Sequence, residues 1–270
     1  MGPLHGLPVS MKDQFHIKGT DSTLGYTGWI GTFEGREMTD EKKDFESLIV
    51  TELRNLGVVL YCKTSVPQTL MAGETVNNII GYTFNPKNRL LTAGGSSGGE
   101  GALIGLRGSP AGFGSDIGGS VRVPAGFNGI YGLRPSNGRL PYRGVPSSMD
   151  GQTSIPCVIG PLATTARSLK FMFREVLNAE PWQHDPEVIN MPWRDSQAQE
   201  MVDYALGSGS QGRLSFGIFM DDGIVRPDPP VRRAMKMVVD ALEKAGHSVS
   251  SARIFSLLLF SQQSNESKRS

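Results

Sequence analysis

Two glycine-serine clusters dominate the middle of the chain: Gly94-Gly95-Ser96-Ser97-Gly98-Gly99-Glu100-Gly101, then Gly112-Phe113-Gly114-Ser115-Asp116-Ile117-Gly118-Gly119-Ser120. Of 34 glycines in 270 residues, 15 fall between Gly94 and Gly138. Glycine lacks a Cβ, so such a block lets backbone approach backbone or a ligand closely and take left-handed dihedrals. A single Gly-Ser run suits a flexible linker equally well. A second cluster in fixed order, with a lysine motif upstream, favours a site.

Three site types compete for the glycines. A phosphate-binding loop needs a lysine right after its second framing glycine, and Glu100 stands there, with the wrong charge. A dinucleotide turn needs G-x-G-x-x-G, but Gly112-Phe113-Gly114 is followed by Gly118, one residue too far. A nucleophile elbow, G-x-S-x-G, is satisfied around Ser97, yet it requires a buried strand before it and Asn88–Ala93 makes a poor one. Its histidine would come from His184 in a polar stretch or from His247 near the C-terminus. That elbow stays open as an alternative.

The remaining reading pairs two serines, Ser96 and Ser120, with Lys12 on an upstream strand. Serine needs a base to become a nucleophile, and a lysine near its ordinary pKa of about 10.4 is protonated. Burial that brings it to about 7–8 supplies roughly 4 kcal/mol of differential interaction, within reach of desolvation. A second serine hydroxyl can carry the proton, because it accepts and donates at once.

Around that site the pattern is α/β. Val9–Met11 reads as a strand delivering Lys12 and Asp13. Thr39–Leu56 reads as one amphipathic helix carrying Phe45, Leu48, Ile49, Leu53 and Leu56, stopped by Gly57, and Val58–Cys62 as a buried strand. Thr83–Ala93 reads as loop, Thr165–Leu177 as helix, Pro181–Gln199 as a long connection, Leu214–Met220 as strand, Pro230–Ala245 as helix, and the residues after Gly246 as the start of a further strand. With 38% apolar and 20% charged residues the composition is that of a folded globular protein. A net charge of +1, from 27 basic against 26 acidic side chains, gives no field for nucleic acid or an anionic membrane. Cys62 and Cys157, outside any C-x-x-C spacing, argue against a zinc site or a disulfide scaffold and for a reducing, cytoplasmic setting. The longest apolar run near the C-terminus, Ile254–Phe260, is too short for a membrane span.

These segments, GGSSGGEG at 94–101, GSDIGGSVRVP at 114–124 and GIYGLRP at 129–135, with Gly6–Asp13 and Gly81–Pro86 upstream, closely resemble the amidase signature family. The likeness runs from about Gly2 to Val249 and is strongest to its fungal general amidases and acetamidases and to fatty acid amide hydrolase. It implies a mixed β-sheet core flanked by α-helices on both faces. It also implies hydrolysis of a small-molecule carboxylic acid amide to the acid and ammonia or an amine, through an acyl-enzyme and without cofactor or metal. Carried over by position, Lys12 is the base, Ser96 the bridging serine on a cis peptide, and Ser120 the nucleophile. The N–H groups of Ile117, Gly118, Gly119 and Ser120 form the oxyanion hole, with Ser97, Asp116 and Arg122 in support. His5 and His16, which flank Lys12, match no catalytic role and are read as structural. A homodimer is compatible with the likeness. The family domain is longer than this chain, so residues 1–250 are expected to be a partial domain, truncated at both ends, and 251–270 a non-homologous, disordered tail. Two alternatives follow: a catalytically dead truncated fragment of such an amidase, or an amidotransferase A-type subunit.

Overall fold

Alternation along the first strand decides which chemistry faces which layer. β1 (Pro8–Lys12) turns Val9 and Met11 to one face of its sheet and Ser10 and Lys12 to the other. The protein is described by a computed structural model covering residues 1–207 and 213–251, in which Met1–Trp193 and the described residues from Arg194 on form two compact units.

The expected helix over Thr39–Leu56 is two helices, α1 (Asp40–Lys43) and α2 (Leu48–Asn55). The break has a cause. Ser47 accepts from the His16 N–H at 3.0 Å and donates to the Gly144 carbonyl at 2.7 Å, while its own N–H and that of Leu48 donate to His16 and Arg143. Phe45 leaves the helical face to pack edge-on against His16. Gly57, at φ +94°, ends α2 as expected. β2 (Val59–Thr64) follows, but it is an edge strand and not a buried one, with Val59 and Tyr61 about half exposed.

Two small antiparallel pairs come next, β3 (Val76–Asn77) with β4 (Gly81–Tyr82), and β5 (Phe84–Asn85) with β6 (Asn88–Thr92). The second pair corrects the loop expected over Thr83–Ala93. Pro86-Lys87 is the turn of a hairpin, closed by the Lys87 N–H donating to Asn85 Oδ1 at 3.0 Å. The strand is exposed, unlike the buried strand a nucleophile elbow requires.

After α3 (Gly98–Gly105) come β7 (Ala111–Asp116), α4 (Arg122–Asn128), β8 (Tyr131–Gly132), β9 (Val158–Ala163) and α5 (Ala166–Asn178), the last capped by Thr165. The sheet order is β2-β1-β7-β9-β8. β1 is parallel to β2 and β7, and β9 is antiparallel to β7 and β8. Val9, Met11, Phe113, Ile159 and Ala163 pack against Ile49 and Leu53 of α2 and Met172 and Val176 of α5. Leu162, pointing the other way, packs with Ile104 of α3 and Val121 and Ala125 of α4. The mixed sheet with helices on both faces is therefore present.

In the second unit, α6 (Asp195–Ala205) begins inside the stretch expected to be a connection. β10 (Ser215–Ile218), α7 (Pro229–Lys244) and β11 (Ser248–Ser251) follow, with β10 and β11 parallel. Residues 252–270, which hold nearly all of the expected tail, lie outside the described residues. Among the described residues no helix is long and apolar enough to cross a membrane.

Candidate active site

The site forms where the C-terminal ends of β1 and β7 meet the start of α3. Glycines make that approach possible. A Cβ at Gly112 would collide with the Glu100 carboxylate, and one at Gly114 would lie 2.5 Å from Ser97 Oγ. Asn128 ties the region down, donating from Nδ2 to the carbonyls of Ala93 and Pro124 at 2.8 Å each.

Lys12 is fully buried, with Nζ 2.8 Å from Ser96 Oγ and 2.7 Å from Ser115 Oγ. Both partners are neutral hydroxyls. Loss of water around the ammonium pulls its pKa down to about 8, against weaker raising effects of Cys157, Asp116, Glu100 and Asp13. Ser96 is buried and follows a cis Gly95–Ser96 peptide bond. Ser97 precedes α3; its N–H donates to the Ser120 carbonyl at 3.1 Å and its hydroxyl to the Ser115 carbonyl at 3.3 Å. The first cluster is thereby stitched to the second, with Ser120 half-buried beside it.

Asp116 closes the second cluster into a turn. It accepts from the N–H groups of Gly119 at 2.7 Å, Val121 at 3.1 Å and Arg122 at 3.3 Å, and from Arg122 Nε and Nη2 at 3.0 Å each. Burial works to raise its pKa, but the Arg122 guanidinium and these amides outweigh it, so the carboxylate stays below its ordinary range. Gly119 sits at φ +133°, a conformation open to glycine. Its N–H is committed to Asp116, whereas the amides of Ile117, Gly118 and Ser120 meet no hydrogen-bond acceptor among the described residues.

Lys12 and Ser96 are thus in contact, Ser120 is adjacent through Ser97, and Asp116 and Arg122 are paired. Sequence reasoning missed three participants. Ser115 stood inside the quoted second cluster and was passed over. Gln14 carried no signal beyond closeness to Lys12. Glu100 entered as the residue that excludes a phosphate loop and as part of the GGSSGGEG motif, with no role in the site, yet it is fully buried and accepts from Ser10 Oγ and Thr64 Oγ1 at 2.7 Å each; burial pushes its pKa up to about 7. His16 stacks on Phe33, meets Phe45 edge-on and pairs with Glu34 at 3.0 Å, a packing arrangement away from the serines. His184 is bonded to Glu52 of α2 at 2.7 Å, on the far face of the sheet from α3.

A buried lysine bonded to one of two glycine-framed serines thus stands on a mixed sheet layered by helices. The family profile described as Amidase matches residues 1–264, and the chain belongs to that family. It is 49% identical over 249 residues to an acetamidase of Aspergillus oryzae and 48% identical to an acetamidase of Emericella nidulans, in each case covering 92% of this chain and 43% of the relative. Among solved structures, a fatty acid amide hydrolase superposes with a TM-score of 0.81 at 40% identity, covering 93% of this chain and 41% of that one. The chain therefore spans about two-fifths of the length of the relatives it matches.

Proposed function

We propose that this chain carries the catalytic centre of an amidase acting on a small-molecule carboxylic acid amide, with Ser120 as nucleophile, Ser96 as proton relay and Lys12 as base. The observation that carries the reading is the 2.8 Å contact from a fully buried Lys12, its pKa near 8, to Ser96 Oγ. Neutral Lys12 accepts the Ser96 proton while Ser96 accepts that of Ser120, whose oxygen attacks the amide carbon. The oxyanion is received by the N–H groups of the Ile117–Ser120 turn. Because Gly119 already donates to Asp116, the receiving groups are those of Ile117, Gly118 and Ser120. The proton returns through Ser96 to the departing nitrogen, ammonia or an amine leaves, and water then hydrolyses the acyl-enzyme.

Asp116, Arg122 and Ser97 hold the turn and its neighbour and do not enter the chemistry. The two relatives near one-half identity carry the name acetamidase, which favours hydrolysis of free amides over service as an amidotransferase subunit. The engagement of His184 by Glu52 speaks against the elbow reading around Ser97. A fluorophosphonate probe tests the proposal. Covalent labelling that Ser120→Ala removes supports it; folded protein that takes no label refutes it and leaves the catalytically dead fragment, and label that survives Ser120→Ala refutes Ser120 as nucleophile and points to another serine.

A further inference from the structure

The two hydroxyls around Lys12 raise a question of direction. A neutral amine has two N–H donors and one lone pair, and Lys12 serves as a base toward Ser96 only if that lone pair faces Ser96 Oγ. If the Ser115 hydroxyl donated its proton to the amine, it would occupy the lone pair and silence the base. Something must keep Ser115 an acceptor.

The answer starts from a group with no choice. The Pro146 carbonyl can only accept, and Gln14 Nε2 lies 2.7 Å from it. This fixes the orientation of the buried Gln14 amide: nitrogen toward Pro146, with its second N–H donating to Tyr142 Oη at 2.9 Å, and oxygen on the opposite side. Gln14 Oε1 lies 2.5 Å from Ser115 Oγ and must receive a proton from it. With its only proton so committed, Ser115 presents a lone pair to Lys12 Nζ at 2.7 Å and draws one of the lysine N–H groups.

We infer that Gln14 is a positioning residue for the base: through the fixed direction of its amide it holds Ser115 as a hydrogen-bond acceptor, which turns the lone pair of neutral Lys12 toward Ser96. The Gln14 side chain bonds to Pro146, Tyr142 and Ser115 and to neither serine of the proton relay, so its influence on Lys12 runs through Ser115. The inference rests on the assignment of Lys12 as base and Ser120 as nucleophile.

The test is the rate of fluorophosphonate labelling at Ser120 as a function of pH, with the melting temperature of each variant measured alongside. Gln14→Met, of similar length but without the amide, frees the Ser115 hydroxyl and slows labelling about tenfold on the pH plateau. Ser115→Ala removes the same acceptor and slows it by a similar factor. The double variant is slowed no further than either single one, because Gln14 acts only through Ser115. Gln14→Glu still accepts from Ser115, so it keeps a plateau nearer the wild type. Its other oxygen meets the acceptor-only Pro146 carbonyl and bonds there as a protonated carboxyl, so the variant keeps the direction of the Gln14 bonds without the amide.

Gln14→Met labelling at the wild-type rate, or single losses that multiply in the double variant, would overturn the role of Gln14 while leaving the nucleophile and base intact. If Gln14→Met melts at a markedly lower temperature, Gln14→Glu decides: a plateau slowed about tenfold in folded protein that still accepts from Ser115 counts against the inference. Folded wild type that takes no label at Ser120 defeats the underlying assignment, and the inference with it.

Discussion

Lys12 and Lys63 sit one pairing step apart on neighbouring parallel strands, Met11 opposite Lys63 and Lys12 opposite Thr64, so the two lysines leave the sheet on opposite faces. Burial pulls each of them down to about 8. Their surroundings differ. Lys63 Nζ donates to the Asp21 carbonyl at 2.5 Å and Ser22 Oγ at 2.6 Å, and faces the Asp13 carboxylate at 3.7 Å. Three acceptors meet three ammonium protons, and the Ser22 hydroxyl is already spent on the Phe15 carbonyl. Nothing around Lys63 has a proton to give. The Lys12 amine is bonded to two hydroxyls, those of Ser96 and Ser115. A depressed pKa therefore marks burial, and the neighbours decide whether a buried lysine is a base or a clamp. Lys63 is a clamp, closing the loop that Asp13 also holds through the N–H groups of Thr23 and Leu24.

The sharpest way to break this contrast is to replace each lysine with methionine. Lys12→Met slows labelling of Ser120 by about 10²–10⁴-fold, the range that a positioned acid or base supplies. Lys63→Met leaves the labelling rate essentially unchanged. Comparable losses in both variants would mean that the site needs the charge of the region and not the particular amine.

Stability reverses the order. Lys63→Met leaves the Asp13 carboxylate without its cation and the Asp21 carbonyl without its donor, a loss of about 2 kcal/mol in urea unfolding. Lys12→Met exchanges a desolvated amine for an apolar chain of similar length and changes stability less. Equal destabilisation by the two would erase the distinction between base and clamp.

The pH dependence separates them further. Only neutral Lys12 accepts a proton, so with its pKa near 8 the labelling rate rises about fivefold between pH 7 and pH 8 and flattens above about pH 9. Lys63→Met leaves the midpoint in place. A rate that falls as pH rises through 8 would contradict the base assignment, since it would require the ammonium.

How much of this was open to a reader of the sequence differs by residue type. Lys12, Ser96 and Ser120 announce themselves because glycines frame them, and glycine repetition is visible in one dimension. Ser115, Gln14 and Glu100 do not, since a buried serine, glutamine or glutamate looks like any other until the fold closes around it. Lys63 is the same case: its capture by Asp13, Asp21 and Ser22 depends on strand register. Helix periodicity over 39–56 was real, but the commitment of Ser47 to His16 and Gly144 overrode it, a long-range choice that local pattern does not contain. β2 looked buried from its apolar content, yet burial of a strand depends on having neighbours on both sides, and β2 has only β1 among the strands of its sheet. The stretch around Asn85-Pro86 has the pattern of a loop although it holds a hairpin turn at Pro86-Lys87, because the flanking strand β6 is exposed and lacks alternation.

The smallest effect probes the groups around Lys12 that Lys63 lacks. Glu100 is buried among the hydroxyls of Ser10 and Thr64, and its charge favours the Lys12 ammonium. Glu100→Gln keeps the shape, and the two hydroxyls can satisfy an amide by turning one of them into an acceptor. Removing the negative charge makes the ammonium harder to hold, so neutral Lys12 appears at lower pH and the labelling midpoint falls by about half a unit or less. Because burial pushes Glu100 itself up to about 7, its ionisation overlaps the lower limb of the wild-type profile and steadily strengthens the hold on the Lys12 proton through that range. Wild-type rates should therefore climb less steeply between pH 6 and pH 8 than a single titration allows, and Glu100→Gln should restore the single-group slope. An unchanged midpoint in Glu100→Gln would mean that Glu100 is protonated throughout and places no charge on Lys12.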